Sequence, residues 1–189
     1  MAKAILLSIR PNWVRLILNK KKIYEIRKQF PKDYVGWVYI YCTKNGEYLT
    51  RGNKGNVYPS CCISNGIQEW HLNGKVVARF WCDKVDEMIV GEDCCGDAEI
   101  EEGYSLIEQT CLTEIEIIKY LGGIYKSGYA IHISKLETFD KPKELGEFYT
   151  TRLDKTIPEL FDNSIQLPNG VWVKPLTKAP QNFMFIDIE

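Results

Sequence analysis

The stretch SIRPNWVRLILNKKKIYEIRK, from Ser8 to Lys28, decides how the rest of the chain is read. It begins at the end of AILLS (4–8), an apolar run short enough for a buried strand. Pro11 then supplies the φ favoured in a first helical turn. Trp13, Leu16, Ile17 and Lys20 follow at helical spacing, so one short helix is predicted to end near Asn19. KIYEIR (22–27) alternates, and a regular strand here puts Ile23, Glu25 and Arg27 on one side and Lys22, Tyr24 and Ile26 on the other. A single carboxylate, Glu25, therefore stands among five Lys and Arg within residues 20–28 and shares a strand face with Arg27.

Outward from this stretch, GWVYIYC (36–42) is β-branched and aromatic with no polar face, the pattern of a central strand buried on both sides. Between Thr43 and Gly74 the chain turns polar and glycine-rich, which predicts a long loop or inserted hairpin at about 43–74. KVVARFWCDKV (75–85) restores the strand pattern, and GEDCCGDAEIEEGYS (91–105) reads as irregular acidic surface. Thr113 with Glu116 forms a capping box, Ile115, Ile117, Ile118 and Leu121 form an apolar stripe, and Gly122-Gly123 end that helix. GYAIHISKL (128–136) is a strand, PELF (158–161) reads as a helical turn, Asn169-Gly170 as a two-residue hairpin loop, and NFMFIDI (182–188) as a closing strand. Six or seven strands with two principal helices, not alternating regularly, predict an α+β domain on a small mixed or closed sheet.

With 189 residues, 45% of them hydrophobic, the chain holds enough apolar material for one core, and a single domain over 1–189 is expected. No apolar run approaches the roughly 20 residues of a membrane span, and MAKAILLSIRP lacks a signal peptide's long apolar region, so no membrane association and a cytoplasmic location are expected. Seven cysteines include two adjacent pairs and no C-x-x-C spacing, which favours reduced thiols and predicts neither a metal site nor a cofactor. The net charge of -1 hides a division: residues 1–55 carry 12 bases against 3 acids, and Asp86–Glu116 carries 11 acids and no base. A basic surface suited to an anion and a separate acidic face follow from that asymmetry.

The order of S-I-R-P, short helix, K-x-x-E-x-R at Lys22, Glu25 and Arg27, and a strand ending YCTK (41–44) resembles the ASCH domain, a PUA-like β-barrel family. GKVVARF (74–80), CLTEIEIIKYLG (111–122) and GYAIHISKL agree with it, while FDKPKEL (139–145) and KAPQNF (178–183) are similar to its bacterial and phage branch. The resemblance spans nearly the whole chain except 45–73. It implies an α+β fold on a PUA-like small mixed β-barrel with two principal flanking helices, and a charged cleft beside the first helix that binds RNA or modified nucleotides.

In such a cleft Arg10, Lys22 and Arg27 suit phosphates, since the guanidinium fork binds them at two points or stacks on a base. Tyr24 is an expected stacking platform, as are Trp13, Tyr41 and Phe183, although Trp13 lies on the apolar stripe of its helix. Glu25 suits an exocyclic amine, and Thr43 and Gln181 offer hydroxyl and amide groups to a base edge. The plain alternative is an ordinary Glu25–Arg27 ion pair, contributing about 0 to 1 kcal/mol if exposed. An enzymatic alternative comes from the resemblance, because relatives that hydrolyse the N4-acetyl group of acetylcytidine use a lysine, a threonine three residues later and a later carboxylate. Lys22 and Glu108 match two of these, but Glu25 occupies the threonine position, so either Thr43 on the next strand substitutes for it, or Glu25 activates water, with RNA itself a further substrate, or no reaction follows. A third class is a protein contact through 43–73 or the acidic stretch.

Overall fold

The computed structural model describes residues 2–52, 55–60, 70–100, 104–150, 164–166, 168, 170 and 172–188. Among them the strands are β1 (Ala2–Ile9), β2 (Tyr24–Arg27), β3 (Gly36–Cys42), β4 (Leu49–Arg51), β5 (Val57–Pro59), β6 (Trp70–His71), β7 (Val76–Cys82), β8 (Val85–Glu92), β9 (Ala98–Ile100), β10 (Ser127–His132), β11 (Ser134–Lys143), β12 (Tyr149–Thr150), β13 (Ile165–Gln166), β14 (Trp172–Pro175) and β15 (Phe183–Ile188). The helices are α1 (Pro11–Leu18), α2 (Tyr104–Gln109) and α3 (Glu114–Leu121).

An eight-stranded mixed sheet runs β11-β7-β3-β1-β15-β12-β14-β13, and a four-stranded sheet runs β2-β10-β8-β9. β1 is central: parallel to β3, with Ile5 opposite Val38, and antiparallel to β15, with Leu7 opposite Phe183. Two of the chain's crossings between the sheets run from β7 to β8 through Asp83 and Lys84 and from β10 to β11 through Ile133. Because β7 pairs with β11 in one sheet and β8 with β10 in the other, these crossings lie side by side and curl the first sheet into the second. The His132 amide donating to the Lys84 carbonyl at 3.0 Å closes that corner.

Period-two alternation explains the core. Ile5, Leu7 and Ile9 of β1 with Val38, Ile40 and Cys42 of β3 face α1, while Ala4, Leu6, Tyr39 and Tyr41 face Phe148 and Ile186 on the other side. A strand without a polar face is therefore buried twice, as its sequence requires. In α1 Pro11, Val14, Ile17 and Leu18 are buried, the last three contributing roughly 1.5–3 kcal/mol each by burial, so the stripe lies one position beyond Trp13 and Leu16. α3 has the predicted capping box at Thr113 and Glu116 and ends at Gly122 with φ 115°, but Ile115 points to solvent and is 77% exposed.

Three sequence expectations change. The 43–74 segment holds a three-stranded sheet, β5-β4-β6, whose Leu49, Val57 and Leu72 enter the core. Asn19, just past α1, pins it by bonding both the carbonyl and the amide of Val57. The acidic stretch contains a hairpin, β8–β9, because the Asp93 carboxylate accepts from the amides of Cys95 and Asp97 and closes the turn. β13 and β14 pair as expected; Gly170 of the predicted turn has φ 81°, and Asn169 lies outside the described residues. α2 adds a short helix that the sequence reading missed, and PELF lies outside the described residues.

Candidate functional site

The end of α1 sets the site. Lys20 turns left-handed at φ 58°, and the amides of Lys21 and Lys22 both reach back to the Leu16 carbonyl. The strand begins only at Tyr24, so period-two alternation does not extend to Lys22. Its side chain comes to the same side as Glu25 and Arg27, where the regular pattern had placed it opposite.

The three charges form one buried network. Lys22, Glu25 and Arg27 are 2%, 5% and 9% exposed. Glu25 lies between the two bases, with Oε1 at 2.9 Å from Arg27 Nη2 and Oε2 at 3.6 Å from Lys22 Nζ. Lys22 Nζ also donates to the Thr110 carbonyl at 2.6 Å and sits 5.0 Å from the Trp13 ring centroid. Arg27 donates from Nη2 to the Ser8 carbonyl at 2.6 Å and from Nη1 to Asn182 Oδ1 at 3.2 Å, while Asn182 Nδ2 donates to Gln29 O. Its Nε is buried and has no hydrogen-bond partner. Two cations around one carboxylate leave one net positive charge when Lys22 is protonated. Burial lowers the Lys22 ammonium pKa, and the nearby Glu25 carboxylate opposes that shift.

The network ties four parts of the chain: the end of β1, strand β2, the turn after α2 and the lead into β15. The backbone around it gathers other predicted residues. Ser8 N donates to Asn182 O at 3.0 Å, and Thr43 N donates to Ile9 O at 2.9 Å. Gln181 is the chain neighbour of Asn182, Arg10 lies two residues after Ser8, and Thr43 meets that segment through Ile9; Arg10 and Gln181 are exposed. Glu108 is exposed and lies two residues before Thr110, the partner of Lys22.

Tyr24 does not join them. In β2 it alternates with Glu25 to the opposite face, where its ring meets His132 at 4.9 Å and packs beside Ile26 and Met88. Phe183 packs against Phe30, Tyr41 lies on the far face of β3, and Trp13 is half-buried beneath the Lys22 ammonium. Arg51, expected on a contact loop, instead donates to the carbonyls of Phe139 and Asp140. The sequence reading missed Ser8, Thr110 and Asn182, the first two of which act here through backbone carbonyls that no motif marks. Asn182 carried a signal, being the polar residue beside Gln181 at the mouth of the last strand. Among the described residues no group of three or more His, Cys, Asp or Glu is placed to hold a metal, and Cys42, Cys82, Cys94, Cys95 and Cys111 are free.

Neither a protein-family model nor a curated protein sequence matches the chain. Its fold matches the crystal structure of ASCH from Zymomonas mobilis with TM-score 0.51 at 14% identity, over 97% of this chain and 87% of that one. The chain has the ASCH fold. A tyrosine-to-phenylalanine variant of the Zymomonas mobilis protein gives TM-score 0.51, 14% identity and coverage of 98% and 91%. A serine-to-alanine variant gives 0.51, 12%, 97% and 88%. On this ASCH fold the K-x-x-E-x-R spacing delivers its charges to one point, where β1 hands over to α1 and β15 begins. No helix among the described residues is long and apolar enough to cross a membrane.

Proposed function

We propose that this ASCH-fold chain is a single PUA-like β-barrel domain, with α1 and α3 flanking the barrel, and that it binds single-stranded RNA or a nucleotide at the network of Lys22, Glu25 and Arg27. The observation that carries the assignment is Arg27: a buried guanidinium in a net-positive cluster, with one donor, Nε, unpaired. A buried donor without an acceptor costs about 1–3 kcal/mol, and an anion bound at the edge of the cluster balances its net charge. The network itself is sealed, so the exposed Arg10 and Gln181 at its edge make first contact, Arg10 with phosphate and Gln181 with a base edge. Arg27 acts behind them as an electrostatic anchor.

Binding of labelled single-stranded RNA, duplex RNA and single-stranded DNA across a salt series tests this. Single-stranded RNA should bind most tightly, and Arg10→Gln should flatten log affinity against log salt by about 0.7, the loss of one single-strand phosphate contact. Equal affinity and slope for wild type, Arg10→Gln and Arg27→Lys would overturn the site.

Hydrolysis of a modified nucleoside is the second reading, favoured by the depressed Lys22 ammonium. The residues around it argue for binding first. Glu25 is held by both bases, and the hydroxyl of Thr110, whose carbonyl Lys22 bonds, is buried and donates to the Ile107 carbonyl at 2.6 Å. A nucleophile therefore has to come from Thr43 or from water activated by Glu25, after that carboxylate leaves one of its partners.

A further inference from the structure

A concavity of about 420 Å³ lies on the far face of the eight-stranded sheet from the charged network, within the size range of small-ligand sites. Four of its ten lining residues, Glu144, Leu145, Lys178 and Ala179, come from the FDKPKEL and KAPQNF stretches, of which the network uses only Pro180 and Asn182. The floor is apolar: Leu145, Leu176, Ala179 and the ring of Tyr41. The rim is cationic. Lys44 and Lys178 are both exposed, and neither has an ion-pair partner among the described residues. The one acid in the lining, Glu144, already pairs with Lys75. Two unpaired ammonium groups over an apolar floor select a ligand with a flat, weakly polar body and an anionic group.

Two details shape the site. Gly74 has φ 81°, and a Cβ there would stand 3.2 Å from Lys44 Cγ, so the glycine leaves room for the lysine stem that runs beside it. Burial raises the pKa of the Tyr41 phenol, which stays a neutral group in the lining at any ordinary pH.

The placement links this concavity to the network. Lys44 follows Thr43, whose amide bonds Ile9, and Lys178 precedes Pro180, whose carbonyl accepts the Ser8 hydroxyl at 2.6 Å. The same two loops thus border both places, one residue or two apart along the chain. We infer that this concavity is a second phosphate-binding site, taking a nucleotide with its phosphate between Lys44 and Lys178 and its base against Leu145, Leu176 and Tyr41. The nucleotide is either free or a further unit of an RNA strand bound at Arg10 and Gln181. The RNA form rests on the function proposed above; the affinity for a free nucleotide does not.

Calorimetric titration with adenosine 5′-monophosphate and inorganic phosphate, and RNA binding across salt, compare wild type with the Lys44→Gln, Lys178→Gln double variant. Both lysines are exposed and unpaired, so the double variant should fold, which circular dichroism and urea unfolding check. The inference expects monophosphate binding to weaken about tenfold or more in the variant. It also expects the salt slope for single-stranded RNA to fall by about 1.4, two single-strand contacts, where the strand reaches the pocket. If the monophosphate binds and only the variant loses it while RNA binds nowhere, the pocket stands as a free-nucleotide site and the RNA reading falls. If RNA binding depends on Arg27 while neither ligand senses the two lysines, the pocket is overturned and the RNA reading stands. Binding of neither ligand by wild type overturns both.

Discussion

Replacing Glu25 by glutamine should destabilise the protein by about 3–5 kcal/mol near neutral pH, the usual cost of deleting one partner from a buried ion pair. The structure gives the scale. At an effective dielectric of about 20, a carboxylate 2.9 Å from one cation and 3.6 Å from another gains roughly 4–6 kcal/mol from each. Desolvation of three groups that are at most 9% exposed consumes much of that gain, and the deletion leaves two cations facing each other with nothing between them. Lys22 offers the relief, by losing its proton. Its pKa is already lowered by burial, and Glu25 is the main opposing influence, so the glutamine variant lowers it further. A lowered folded-state pKa means that the unfolded chain binds the proton more tightly, so stability rises with pH from the folded value to the unfolded one near 10.4. That window opens at lower pH in the variant. Urea unfolding followed by tryptophan fluorescence should therefore show a deficit near pH 7 that shrinks by about pH 9.5, with unchanged m-value. A deficit under about 1 kcal/mol at all pH values would mean that the three groups are solvated like a surface pair, and the buried-network account would fail.

Asn182→Ala removes an acceptor from Arg27 and a donor from the Gln29 carbonyl, and should cost about 1–2 kcal/mol in urea unfolding and lower RNA affinity through the displaced guanidinium. Gly128→Ala puts a Cβ 2.8 Å from the Arg27 carbonyl and against Leu121 Cδ2, and should destabilise the protein in urea unfolding by about 1–3 kcal/mol, the cost of one overpacked methyl. Thr113→Ala, which opens the capping box of α3, should cost about 1 kcal/mol and leave RNA binding as it is. Tyr24→Leu should change RNA affinity less than about twofold in the same titration, because that ring lies on the opposite face of β2.

Much of this was legible in the chain because single residues enforce it locally. Pro11 starts α1, Thr113 with Glu116 starts α3, and the unbroken apolar run of 36–42 can only be a strand buried on both faces. The pairing of Glu25 with Arg27 also follows from a strand's period of two. What escaped the sequence is non-local. Lys22 joins Glu25 only because the helix ends in a left-handed turn at Lys20, a conformation that a lysine does not announce. The motif residues read as an open basic cleft, yet packing by Trp13, the Thr110 turn and the lead into β15 seals them. The acidic stretch looked irregular because its turn is made by an Asp93 side chain and not by a glycine pair. The three-stranded sheet of 43–74 has strands of two or three residues, too short for a periodic signal.

The most direct test of the central claim is to follow the Arg27 Nε–Hε resonance by NMR while single-stranded RNA is added, with Arg27→Lys assigning the peak. In the free protein this proton lacks a partner and sits in a buried, net-positive cluster. The account predicts a saturable shift of that resonance, together with the amides of Arg10 and Gln181, at the concentration where fluorescence reports binding. A protein that binds RNA while Arg27, Arg10 and Gln181 stay unmoved would contradict it, and would leave the network a structural clamp.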